Sequence, residues 1–117
     1  MEVDRARELL DAEREATRLR IAALSADFDE IVTGSAGSNG DDEHDPEGST
    51  IAFERARIDA LLSEARASLV DLERAAARLG AGGYGTCERC GGSIGAERLA
   101  TRPATALCVD CAASPLR

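Results

Sequence analysis

The chain has 117 residues, room for one compact domain or for a small domain joined to an elongated element, and too few for a large enclosed catalytic cavity. Its aromatic residues are only Phe28, Phe53 and Tyr84, so a core has to be built from Ala, Leu, Ile and Val. The net charge of -8, with Arg as every base and no Lys, opposes binding to a phosphate backbone unless the bases are segregated.

The N-terminus, Met1-Glu-Val-Asp-Arg5, has no basic stretch leading into an apolar one, and no run approaches the roughly 18 apolar residues of a membrane span. A cytoplasmic protein without a membrane segment is expected. From Glu2 to Val32 there is no Gly or Pro, and the segment is dense in Ala, Leu, Arg and Glu, all strong helix formers. It predicts one long helix. Leu9, Ala12, Ala16, Leu19 and Ala23 give the seam of that helix by their spacing, with Ile21, Leu24, Phe28 and Ile31 as a neighbouring stripe.

Residues 33–49 are rich in Gly, Ser and Asp and predict a connecting loop. Between Asp27 and Glu47 the sequence carries eight acids and no base, which makes this end strongly negative. His44, the only histidine, lies there without a partner for catalysis and is expected to be solvated.

A second helix follows, with Ile58, Leu62, Ala65, Leu69, Leu72, Ala76 and Leu79 at alternating spacings of four and three, the pattern of a two-helix seam. Ser49 or Thr50 can cap its start, and Gly80 suits the left-handed residue beyond its end. Two helices of about 30 residues, each roughly 45 Å long, predict an antiparallel coiled-coil hairpin over residues 1–83. The fold class is therefore mainly α: a long two-helix hairpin followed by a small finger at residues 84–117.

That last segment has no self-sufficient apolar core, so something other than burial has to hold it. Cys87-Glu-Arg-Cys90 and Cys108-Val-Asp-Cys111 are separated by 17 residues, a spacing suited to tetrahedral zinc. A redox pair, two disulfides and an iron–sulfur centre compete with zinc. No βαβ pattern surrounds either pair, and a reducing compartment opposes disulfides, so one structural Zn2+ held by Cys87, Cys90, Cys108 and Cys111 is expected. Four protein ligands leave no position for an activated water. No P-loop, nucleophile elbow or base-paired nucleophile is present, so no enzyme, no catalytic residue and no organic cofactor site is expected.

Beyond the cysteines, the finger contains Tyr84-Gly85, Gly91, Ile94, Arg98-Leu99, Pro103 and Leu107. With these it resembles the zinc finger of the DksA/TraR family of bacterial transcription regulators, and the hairpin with an acidic end before it extends the resemblance over nearly the whole chain. The resemblance implies RNA polymerase as partner, approached through its secondary channel by the hairpin tip, with no direct contact to DNA. It also implies tip residues among Asp42, Asp45 and Glu47. Of the family's tip pattern Asp-x-x-Asp-x-Ala, the segment Asp45-Pro-Glu-Gly-Ser-Thr50 keeps only Asp45, and Asp42 with Asp45 restores the spacing of the two acids but places Glu47 where Ala is expected. Without lysine, basic contacts to guanosine tetraphosphate do not carry over. Two alternatives stand beside this reading. One is a helical adaptor that self-associates through its Ala-rich seam; the other is a DNA-binding finger using Arg89, Arg98 and Arg102.

Overall fold

The computed structural model describes residues 1–37 and 46–114. The protein is mainly α, with helices α1 (Val3–Gly37), α2 (Pro46–Ala81), α3 (Ala96–Thr101) and α4 (Val109–Ala113). An isolated antiparallel bridge pairs Thr86 with Ser93. Both long helices run further into the connecting segment than its composition implies. Helix α1 continues past Val32 to Gly37, and α2 begins at Pro46, so Ser49 and Thr50 are helical residues and not its cap. Proline suits a first helical position because the N–H that it lacks has no partner there in any case. Asp42 and Asp45 lie outside the described residues, as does the side chain of Glu47.

The chain divides into two compact units, one of Met1–Ala16 with Ser68–Arg117 and the other of Thr17–Ala67. In the first, Leu10 of α1 is fully buried against Leu72 and Ala75 of α2, with Leu79, Tyr84 and Ala104 closing around them. The beginning of α1 therefore packs on the end of α2. In the second, the end of α1 lies beside the beginning of α2: the Arg55 guanidinium sits 6.0 Å from the centre of the Phe28 ring. Each unit by itself has the antiparallel arrangement of a hairpin.

The seam of α2 is the one its spacing implies, with Ile58, Leu62, Ala65 and Leu72 buried and Leu69 and Leu79 partly so; Ala75 is more deeply buried than Ala76. The seam of α1 differs from expectation. Ala12, Ala16, Leu19 and Ala23 are exposed, and Leu19 keeps 62% of its surface. The inward face runs through Ala6, Leu10, Arg14, Thr17, Ile21, Leu24, Phe28 and Ile31, so the stripe taken as the neighbour is the seam itself. Two polar residues interrupt it, and the outward alanines imitate a seam of their own. Arg14 reaches Asp11 at 3.6 Å, while its Nε is buried with no hydrogen-bond partner among the described residues.

Helix α2 also ends later than Gly80. The left-handed residue is Gly82, at φ 86°. Its N–H donates to the Leu79 carbonyl at 3.4 Å and that of Gly83 donates to the Arg78 carbonyl at 2.9 Å. This pair of bonds is the Schellman motif, which satisfies two terminal carbonyls and turns the chain out of the helix. Glycine is favoured at that φ because a Cβ would crowd the following carbonyl.

Candidate metal centre

The finger is built from two different kinds of turn. Around the first cysteine pair, the Cys87 N–H donates to the Gly92 carbonyl at 2.7 Å and the Gly91 N–H donates to the Cys87 carbonyl at 2.9 Å. The chain folds back so tightly that Gly91 takes φ 78°. The Gly92 N–H then points at the Cys90 sulfur, 3.4 Å away. At the second pair, Cys108 is the N-cap of α4, and its sulfur accepts from the Cys111 N–H at 3.4 Å. A knuckle and a helix start thus each present two sulfurs, with a backbone N–H directed at one sulfur of each pair.

These four sulfurs lie within 4.8 Å of one another. Thiolates about 2.3 Å from one ion at tetrahedral corners stand roughly 3.8 Å apart. The Cys90 and Cys108 sulfurs are separated by 3.9 Å. The donor set therefore fits one metal ion of zinc's size and ligand preference. Its proton chemistry points the same way. Backbone N–H groups of Cys108 and Cys90, aided by that of Arg89 and by the Cys90 thiol, pull Cys87 down to about 6 against the effect of burial. Hydrogen bonding with the Cys108 thiol, followed by burial and the thiols of Cys87 and Cys90, pushes Cys111 up to about 12. Without a cation, one sulfur ionises readily and another holds its proton, because adjacent negative charges repel. A divalent ion removes that conflict, and its binding must displace protons.

Cys87 shares a buried cluster with Ile94 and Leu99, against which Tyr84, Leu107, Cys108 and Cys111 pack. Tyr84 also packs on the Leu10–Leu72–Ala75 cluster, so one ring joins the finger to the helices within the same unit. Its hydroxyl donates to the Pro103 carbonyl at 2.8 Å. Burial raises the Tyr84 pKa, opposed in part by Arg78. Arg78 of α2 donates to the Ala104 and Thr105 carbonyls, both at 3.4 Å, and stands 3.6 Å from the Glu88 carboxylate. The finger is therefore fixed to the helix end by apolar contact and by a guanidinium on its backbone. Neither Arg78 nor the double role of Tyr84 follows from local sequence pattern, since their hydrogen-bond partners lie 19 to 27 residues away.

Two of the three arginines considered for phosphate contact are used inside the finger. Arg98 donates through Nε to the Leu107 carbonyl at 2.8 Å and is partly buried. Arg89 donates to the Cys111 carbonyl at 2.5 Å. Arg102 is exposed. A guanidinium holding a carbonyl is poorly placed to neutralise a phosphate as well, which weakens the reading as a DNA-binding finger.

Residues 82–114 match the prokaryotic DksA/TraR C4-type zinc finger. The finger belongs to the DksA/TraR family. The likeness extends to the hairpin: the structure of transcription factor DksA2 from Pseudomonas aeruginosa superposes with a TM-score of 0.78 at 25% sequence identity, covering 94% of this chain and 79% of that one. The chain thus carries a DksA/TraR finger on a DksA-like fold. No curated protein matches it in sequence. Among the described residues, no helix is long and apolar enough to cross a membrane.

Proposed function

We propose that this protein is a non-enzymatic, cytoplasmic regulator of transcription that binds RNA polymerase, enters its secondary channel with the hairpin and acts through the acidic segment at the hairpin end. The observation that carries the reading is the combination of a DksA/TraR finger with a hairpin superposing on DksA2 over 94% of the chain. A finger alone is a widespread device for holding a small segment together; joined to a fold that superposes on DksA2, it supports the polymerase reading.

In this reading Cys87, Cys90, Cys108 and Cys111 ligate one structural zinc, and Asp42, Asp45 and Glu47 are the tip residues. The zinc supplies folding energy and no chemistry, because four thiolates fill its coordination sphere. DNA is not contacted directly; the net charge of -8 and the internal use of Arg89 and Arg98 support this. The test is capture of core RNA polymerase by the purified zinc-loaded protein. Retention of polymerase is expected; failure to retain it, or salt-sensitive retention of DNA in its place, would overturn the reading.

A further inference from the structure

Arg89 lies between the ligands Cys87 and Cys90, yet its side chain bonds to the turn that carries the other ligand pair. Its Nη1 donates to the Cys111 carbonyl at 2.5 Å and, more weakly, to the Ser114 carbonyl at 3.4 Å. An exposed guanidinium ordinarily contributes little to stability; what this one holds is unusual. Helix α4 has five residues, none of them buried, and a helix of that length does not hold itself. Its start is capped by the Cys108 sulfur, a group that the metal also claims. At its end the Cys111 carbonyl accepts from Arg89 and, at 3.3 Å, from the Ser114 N–H.

The first cysteine turn therefore grips the second at two places. Ahead of Cys108, the Glu88 N–H donates to the Ala106 carbonyl at 2.8 Å. Behind it, Arg89 holds Cys111 itself. The Glu88 bond is made by the backbone and is open to any residue except proline, whereas the Arg89 bond depends on the side chain. Arg98 steadies the Leu107 carbonyl from α3, so it supports Cys108 without joining that residue to Cys87 or Cys90.

We infer that Arg89 is a positioning residue for the metal ligands: it ties Cys111 to the Cys87–Cys90 turn and so makes zinc slow to leave. A competing ligand removes zinc by displacing one thiolate at a time. A Cys111 sulfur detached from the ion stays within reach while Arg89 holds its carbonyl, and that high effective concentration favours rebinding over capture by the competitor. Without the bond, the end of α4 is free to move away at the first detachment. Zinc keeps its charge throughout, and the sulfurs it leaves take up protons from solvent. The inference rests on the metal site and stands apart from the polymerase reading.

The test is the rate at which the full zinc-loaded chain gives up its metal to excess EDTA near neutral pH, for the parent, Arg89→Ala and Arg102→Ala. Arg102 is an exposed arginine of the same finger, so its variant makes the same change of charge without touching the tie. The absorption of each chain loaded with Co2+ reports whether four thiolates still bind the ion. Arg89→Ala is expected to keep the parent's cobalt spectrum and to release zinc about tenfold faster, with Arg102→Ala within about twofold of the parent. Parent-like release from Arg89→Ala, or equal acceleration by Arg102→Ala, would overturn the inference. So would a cobalt spectrum of Arg89→Ala without the four-thiolate charge-transfer band, since Arg89 would then be needed to build the site and not to hold it closed.

Discussion

The unit of Met1–Ala16 with Ser68–Arg117 and the unit of Thr17–Ala67 are built from the same two helices, yet they bury very different things. The first holds Ala6, Leu10, Leu72, Ala75, Cys87, Ile94 and Leu99 out of solvent and adds a cluster of four sulfurs and guanidinium bonds to backbone carbonyls. Among the described residues, the second buries only Ile58, Leu62 and Ala65, all on α2, while Leu19 and Phe53 stay largely exposed. One unit spends its chemistry on being fixed. The other spends little on its own core and leaves apolar and acidic surface free.

Removing the metal should break this contrast most severely. Chelation, or Cys87→Ser or Cys108→Ser, is expected to reduce zinc from one per chain to almost none and to disorder the finger, read as lost amide dispersion for residues 84–114. Helical signal from the Thr17–Ala67 unit should largely survive. Reloading zinc near neutral pH should release protons, seen as a dependence of the calorimetric heat on the buffer, since the thiols of a disordered finger are mostly protonated there and must ionise to bind the metal.

A cavity in the first unit comes next in size. Leu10 is fully buried, so Leu10→Ala should cost about 3 kcal/mol in denaturant unfolding. Leu19→Ala, one stripe away on the same helix, should cost less than about 0.5 kcal/mol, because that side chain is 62% exposed. Equal losses would mean that the seam of α1 is misassigned.

Tyr84→Phe should have a smaller effect, about 1 kcal/mol for the lost bond to the Pro103 carbonyl. It also has a signature in pH. The folded-state pKa of Tyr84 is raised by burial, so its contribution is complete below the unfolded value of about 10 and is lost as pH rises through the folded one. The parent should therefore lose stability through that alkaline range by a step that the Phe variant lacks.

Much of this was legible in the chain itself. The cysteine pairs announced a metal cluster because ligand spacing is a local property, and the seam of α2 was readable because no polar residue interrupts it. The seam of α1 was not, since Arg14 and Thr17 occupy inward positions while Ala12, Ala16 and Leu19 face outward at helical spacing. Composition also placed the helix ends at the borders of the Gly- and Ser-rich segment, at Val32 and at Ser49 or Thr50, whereas α1 continues into it to Gly37 and α2 starts within it at Pro46. Arg78 and Tyr84 escaped because a long-range bond to a carbonyl leaves no periodic trace. The acidic tip residues Asp42 and Asp45 fall outside the described residues, so their role rests on the family likeness and on charge.

That role can be measured directly. A chain carrying Asp42→Ala, Asp45→Ala and Glu47→Ala together keeps the length of the connection and should retain one zinc per chain and the parent's thermal unfolding. Its effect on transcription initiation by purified RNA polymerase should be lost or strongly reduced. An unchanged effect on initiation, with polymerase binding intact, would contradict the assignment of the acidic segment as the working end and return the question to the finger.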